Sequence, residues 1–150
     1  MKNYDLLIKR GVKNADCKGH PVMKVNTVVD KKNAIMIHTV TGKMSFDDIK
    51  SAYEAICLPP EFREDMNSIW DLRDADASKL DRQDVMRIAR YIETQLKDRS
   101  KFKAAVLVSR YLEYDLSRVY QVASADLPAK IEIFNNLEDA KKWVTESDWA

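Results

Sequence analysis

Apolar residues alternate with polar ones along two early stretches of the chain, residues 22–29 and 34–40. The turn-forming sequence Asp30-Lys31-Lys32-Asn33 separates them, so the pattern predicts a β-hairpin. Helical spacing begins after Ser45, which is a suitable N-cap, and Pro59-Pro60 ends the helix. The apolar stripe of this helix consists of Phe46, Ile49, Tyr53 and Ile56.

Three further strands alternate with three further helices along the rest of the chain. The strands are predicted at residues 68–72, 102–108 and 130–134, and the second is apolar on both faces, which is typical of a covered parallel sheet. The helices are predicted to begin at the N-caps Asp81, Asp115 and Asn136. The most regular stripe follows Asp81 and consists of Val85, Ile88, Ala89, Ile92 and Leu96.

The predicted element order is therefore β-β-α-β-α-β-α-β-α. Strands separated by single helices favour parallel pairing with right-handed crossovers, and the hairpin adds an antiparallel strand. We expect an α/β fold with a mixed, mostly parallel sheet of about five strands and about four helices. Residues 1–21 lie outside the repeat and form an N-terminal extension or an extra edge strand, so the predicted domain covers residues 22–150.

The composition is that of an ordinary globular protein. The 150 residues are 45% hydrophobic and 33% charged, and the net charge of +1 creates no field that attracts nucleic acid. Cys17 and Cys57 are predicted to be reduced thiols, and Leu6-Leu7-Ile8 is too short for a signal-peptide core. We therefore expect a cytoplasmic protein without an integral membrane segment.

Several segments together resemble the SpoIIAA-like family, which is related to STAS domains. They are, in chain order, the hairpin ending in Gly42, residues 45–48, Trp70-Asp71-Leu72, residues 103–108, residues 114–118, Ile133-Phe134, residues 137–140 and Trp143-Val144. The resemblance implies a STAS-like superhelix of β-α units. It also implies docking to a partner protein, as in anti-sigma-factor antagonists, or likeness to CRAL-TRIO-type lipid carriers.

Two positions depart from the family pattern. Antagonists that work by partner switching carry a phosphorylated serine in an Asp-Ser-Ser-Gly-like turn, whereas this chain places Leu80 and Asp81 there and Ser78 slightly earlier. Asp81 either mimics a phosphate or caps a helix, and capping is the favoured interpretation. Asp115 stands where many relatives have glycine, and it too is explained as a cap.

A first candidate site follows from the predicted sheet. Loops at the carboxyl ends of parallel strands gather at one edge, together with the N-termini of the helices, so this edge could hold an anion or a protein partner. Ordinary solvated loops explain the same residues. The predicted edge residues are Lys43, Asp74, Asp76, Ser78, Asp81, Arg110 and Tyr114.

Catalytic templates are not matched. His20 and His38 lack metal-ligand spacing, and the chain has neither a glycine-rich phosphate loop nor a nucleophile elbow. We expect no enzymatic activity, no metal and no cofactor. The basic residues Lys97, Arg99, Lys101 and Lys103 are interpreted as a solvated turn.

Two functions remain open, and a protein-binding module ranks first. The alternative is a small carrier or sensor of an apolar, lipid-like ligand, with transient membrane contact. Its predicted entrance consists of Met44, Phe46, Leu58 and Phe62, of which Phe46 and Leu58 could equally complete the core. Edge pairing of the first strand would permit a homodimer.

Overall fold

The computed structural model describes residues 2–7, 22–57, 66–96, 101–109, 111–125 and 129–146 of the chain. They form six strands and four helices. In chain order these are β1 (Lys2–Leu7), β2 (Lys24–Asp30), β3 (Ile35–Lys43), α1 (Phe46–Cys57), β4 (Asn67–Asp76), α2 (Arg82–Leu96), β5 (Phe102–Leu107), α3 (Tyr111–Ala123), β6 (Ala129–Phe134) and α4 (Leu137–Thr145).

The strands form one mixed sheet in the order β1-β2-β3-β4-β5-β6. The first three strands pair antiparallel, and β3 to β6 pair parallel through the crossover helices α1, α2 and α3. The predicted α/β class, mostly parallel sheet and four helices are confirmed. β1 adds a sixth strand at the edge of β2, whereas the domain boundary at residue 21 stays a prediction because residues 8–21 lie outside the described residues.

The two faces of the sheet carry different layers. The helices α1, α2 and α3 pack on one face against Met36, Val40 and Val106, while α4 packs on the other against Ala105 and Leu107. All six residues of β5 are buried because this strand is covered on both sides. The continuous apolar run in the sequence therefore has the predicted structural cause.

Three of the four predicted N-caps are confirmed. The Asp48 backbone N–H donates to Ser45 Oγ at 3.2 Å, and the Asp139 N–H donates to Asn136 Oδ1 at 2.9 Å. At α2 the Asp84 N–H donates to Asp81 Oδ1 at 2.7 Å, and the Asp81 N–H donates back to Asp84 Oδ2 at 3.2 Å. Such a reciprocal pair satisfies two amide groups that the first helical turn leaves free.

The prediction that Asp115 caps α3 is wrong. The helix begins four residues earlier, at Tyr111, and Asp115 is an exposed residue within it. The segment before Asp115 contains good helix formers, so an aspartate within the first turns does not force the helix to start there.

Gly42 lies near the end of β3, next to an irregularity in its pairing with β4 between Thr39 and Thr41. Its φ of +84° is in the left-handed region that favours glycine. A Cβ at this position would stand 2.3 Å from the Val22 carbonyl oxygen, so the backbone before β2 approaches β3 too closely for a side chain.

Lys103 holds the end of α4 against the sheet. It is only 3% exposed, and its ammonium donates to the carbonyl oxygens of Trp143 at 2.9 Å and Glu146 at 3.0 Å. Asn67 adds a bond from Nδ2 to the Val144 carbonyl at 2.8 Å. The solvated-turn interpretation is therefore wrong for Lys103, because its charge satisfies carbonyl groups that a helix end leaves without partners. Lys97 and Arg99 lie outside the described residues.

Replacing Lys103 with methionine is expected to lower the free energy of unfolding by about 2 kcal/mol, because two carbonyl groups lose a charged donor. Urea unfolding measures the change. The control is Lys130→Met, since Lys130 is the exposed residue opposite Lys103 on β6 and should change stability by about 0.5 kcal/mol or less. Equal losses in the two variants would contradict a structural role for the Lys103 hydrogen bonds.

Candidate functional site

A cavity of about 160 Å³ lies between the sheet and the three helices α1, α2 and α3. Alternate residues of the strands face it because side chains alternate between the two sides of a sheet. The strand residues include Met36, His38 and Val40 from β3, Ser68, Trp70 and Leu72 from β4, Phe102, Ala104 and Val106 from β5, and Ile131 from β6. The lining thus reaches across three inter-strand spacings, roughly 14 Å.

The helices supply the opposite wall, and most of the lining residues of α1 and α2 belong to the predicted apolar stripes. Their lining residues are Ile49, Ala52, Tyr53 and Ile56 from α1, Val85, Ile88 and Ile92 from α2, and Leu116, Ser117 and Tyr120 from α3. No Asp, Glu, Lys or Arg side chain is among the described residues that line the cavity. The interior is therefore apolar, with a few neutral polar groups.

His38 is the most buried polar side chain in the wall, at 1% exposure. Thr27 is its cross-strand neighbour on β2, and Thr27 Oγ1 forms a 2.8 Å hydrogen bond with His38 Nδ1. Trp70 is its neighbour on β4, and the two ring centroids are 4.2 Å apart. Burial lowers the pKa of His38 to about 3, so the imidazole is neutral at physiological pH.

Tyr120 is a second polar residue in the wall, and it is half-buried. Burial raises the pKa of its phenol to about 12, because the charged phenolate would lose its hydration. The hydroxyl is therefore also neutral at physiological pH. Ser117, on the preceding turn of α3, contributes another uncharged hydroxyl to the lining.

Four of the six methionines of the chain line the cavity: Met23, Met36, Met44 and Met66. Methionine has three rotatable bonds and a polarisable sulfur, so it adapts to ligands of irregular shape. All four are buried. This side of the cavity is therefore the one best suited to adjust its shape.

The predicted apolar entrance is described in part. Met44 is buried and lines the cavity. Phe46 is half-buried at the start of α1, where the Arg87 guanidinium lies 4.1 Å from the centre of its ring. Leu58 and Phe62 lie outside the described residues. Of the four predicted residues, Met44 is the one that the structure places at the cavity.

The structure brings part of the predicted strand-end edge together. Lys43 pairs in register with Asp76, and their charged groups are 3.9 Å apart. The Asp76 carboxylate also accepts the Ser78 backbone N–H at 2.9 Å. Asp74, the register partner of Thr41, is exposed at the same edge.

The other predicted edge residues have different surroundings. The Asp81 carboxylate caps α2. Tyr114 is 46% exposed on α3, and Arg110 lies outside the described residues. Beside them, Arg73 donates two hydrogen bonds to Asp71 at 2.9 and 2.8 Å. Partial burial raises the pKa of Asp71, but these bonds outweigh burial and hold that pKa below its ordinary value.

The described residues contain neither a cluster of metal ligands nor a helix that could span a membrane. They contain no group of three or more His, Cys, Asp or Glu side chains placed to hold a metal ion. None of their helices is both long and apolar enough to cross a bilayer.

The architecture defines the chain as a protein with a SpoIIAA-like fold. The solved structure that shows this is an uncharacterised DUF3478-family protein with a SpoIIAA-like fold from Shewanella loihica PV-4. The match has a TM-score of 0.51 and 14% sequence identity, and it covers 81% of this chain and 93% of the other. Neither a protein-family model nor a curated protein sequence matches this chain. At this identity the likeness establishes the fold, as the sequence resemblance predicted.

The sequence pattern alone does not mark the cavity wall as a site. His38 was recognised as a histidine in a strand, but its sheet neighbours Thr27 and Trp70 became evident only from the strand register. A usable signal was present in the methionines, because Met23, Met36 and Met44 occur within 22 residues at strand positions or beside them. Flexible apolar residues concentrated in one part of a core are typical of adaptable binding surfaces.

Proposed function

We propose that the protein binds a small apolar molecule in the cavity between the sheet and α1, α2 and α3. The observation that supports this proposal is the cavity itself, which has a volume of about 160 Å³ and an almost entirely apolar lining. Natural interiors are packed as tightly as organic crystals, so a space of this size is unusual in a small domain. Apolar pockets with a few neutral polar groups are the usual form of small-molecule sites.

The energetics favour occupation. An enclosed empty volume destabilises a protein by about 24 cal/mol per Å³, so for this partly open cavity about 4 kcal/mol is an upper bound. Water gains little from such a lining because it needs two to four polar partners. An apolar ligand restores the missing dispersion contacts, and 4 kcal/mol corresponds to a dissociation constant of about 1 mM. A natural ligand of better shape would bind more tightly.

The size of the ligand follows from the volume. An engineered apolar cavity of about 150 Å³ accommodates benzene, so this cavity matches a molecule with one ring or a short alkyl chain. A complete membrane lipid is much larger. The apolar ligand that the sequence predicted as an alternative is therefore a small molecule. Partner binding, cytoplasmic location, transient membrane contact and dimerisation stay predictions.

The direct test is titration of the full chain with toluene. We expect a dissociation constant of about 1 mM by calorimetry, and a rise in Tm of about 2–3 °C at a toluene concentration about three times that constant, which still dissolves in water. Heteronuclear NMR should place the shifts at residues of the cavity wall, such as Trp70 and Val106.

The matched variants are Ala104→Ile and Ala123→Ile. Ala104 lines the cavity, so a larger side chain there fills the space and abolishes toluene binding. Ala123 is exposed on α3, and the same change there leaves binding intact. If Ala104→Ile fails to fold, xenon binding to the wild-type protein, followed by ¹²⁹Xe NMR, tests the cavity independently. A wild-type protein that takes up neither toluene nor xenon would refute the proposal.

A further inference from the structure

The His38 ring presents one nitrogen that the protein itself does not use. Nδ1 forms the hydrogen bond with Thr27 on β2. Nε2 lies on the opposite side of the imidazole, and the described residues give it no hydrogen-bond partner, although the side chain is 1% exposed and lines the cavity. A polar nitrogen at the wall of an apolar cavity gains free energy from a ligand that offers it a hydrogen bond.

We infer that the bound molecule carries an uncharged hydroxyl group, and that this hydroxyl hydrogen-bonds to His38 Nε2. The inference rests on the proposed function and specifies the chemical class of the ligand. A hydroxyl group fits because it can both donate and accept a hydrogen bond. It therefore suits Nε2 whether Thr27 donates to Nδ1 or accepts from it.

The charge of the lining excludes acidic and basic ligands. The part of the wall that the structure describes holds no lysine or arginine to pair with a carboxylate, and no aspartate or glutamate to pair with an ammonium group. Burial keeps the pKa of His38 near 3, so the imidazole supplies no compensating positive charge at neutral pH. An ion in such surroundings would lose its hydration without replacement. A neutral hydroxyl compound does not have this loss of ionic hydration.

The aromatic residues near His38 favour a ring in the ligand. Trp70 packs beside the imidazole, with ring centroids 4.2 Å apart, and it is only half-buried although three helices cover its face of the sheet. Tyr53 and Phe102 also contribute aromatic rings to the cavity wall. Ring-to-ring contacts stabilise a complex beyond simple burial of area. With the cavity volume, this indicates a single-ring compound with a neutral hydroxyl group, for which phenol is a simple probe.

The test compares phenol, toluene and benzoate, which share one ring and differ in their polar group. Calorimetric titrations of the wild-type protein and His38→Leu give the effect of the side chain on each affinity. We expect His38→Leu to weaken phenol binding roughly fivefold more than toluene binding, because a single hydrogen bond is lost with phenol alone. Benzoate should bind at least tenfold more weakly than phenol to the wild-type protein.

The outcomes separate the inference from the proposed function. If toluene binds but His38→Leu weakens phenol and toluene equally, or if benzoate binds best, the inference fails while the cavity remains a ligand site. If none of the three binds, the proposed function fails. Should His38→Leu not fold, the ¹⁵N chemical shift of His38 Nε2 in the wild-type protein replaces it. That shift should change on adding phenol much more than on adding toluene, and equal changes would overturn the inference.

Discussion

Replacing Gly42 with alanine is expected to lower the free energy of unfolding by about 3 kcal/mol, the largest loss that we expect from a single small substitution. Two costs combine. A residue with a Cβ at φ +84° loses about 1–2 kcal/mol because the side chain crowds its own backbone. In addition, the new carbon would stand 2.3 Å from the Val22 carbonyl oxygen. Relieving that overlap requires a backbone shift that costs about 1–3 kcal/mol.

Chemical denaturation of both proteins measures this loss, and Ala34→Gly is the informative control. Ala34 also has a positive φ, of 56°, but it already tolerates its side chain. Removing its Cβ relieves about 1 kcal/mol of strain and increases the freedom of the unfolded chain, so stability should stay within about 1 kcal/mol of wild type. A Gly42→Ala protein as stable as wild type would show that the β2 and β3 backbones separate easily.

Acidification from pH 7 to pH 5 is expected to destabilise the protein by about 2 kcal/mol through His38 alone. The pKa of this side chain is about 3 in the folded protein and 6.5 in the unfolded chain. Below pH 6.5 the unfolded chain therefore binds a proton that the folded protein does not, and stability falls as the pH falls. The loss approaches 1.4 kcal/mol per pH unit and levels off near pH 3.

The measurement is urea unfolding at pH 7 and pH 5 for the wild-type protein and His38→Leu. Other titrating groups are common to both proteins, among them Asp71, whose pKa is also lowered, so their contributions cancel in the difference. No charged side chain lines the described cavity wall that His38 faces, so its pKa has no local counter-charge to restore it. An equal loss of stability in the two proteins would show that His38 is protonated in the folded state.

The element order was predictable because caps and helix stripes are local signals. Ser45, Asp81 and Asn136 each satisfy free amide groups of the helix that follows, and a side chain of that kind before an apolar stripe identifies the start. The ends of other strands and helices depend on residues that are close in the fold but distant in the sequence. β4 extends to Asp76 through the polar residues Arg73 and Asp74, because the end of β3 pairs with it there. Polar strand ends carry no alternation, so the sequence predicted a shorter strand.

The candidate site was less predictable than the fold. An apolar stripe identifies the side of a helix that is buried, but it gives no information on whether the buried side chains meet without a gap. The same holds for Lys103, whose position in a basic run suggested solvent, whereas the strand turns it towards the carbonyl groups of α4. The cavity and the Lys103 hydrogen bonds both depend on how the helices are placed against the sheet. Hydrophobic periodicity does not contain that information.

The strand order has a consequence for how the chain folds. Each strand lies beside the strand that precedes it in the sequence, so no strand must be inserted between two that are already joined. Formation of the sheet can start at the β2–β3 hairpin and continue as one β-α unit after another adds to a free edge. A strand that pairs with its predecessor closes a shorter loop than one that pairs with a more distant strand, which favours assembly of the sheet in the order of synthesis.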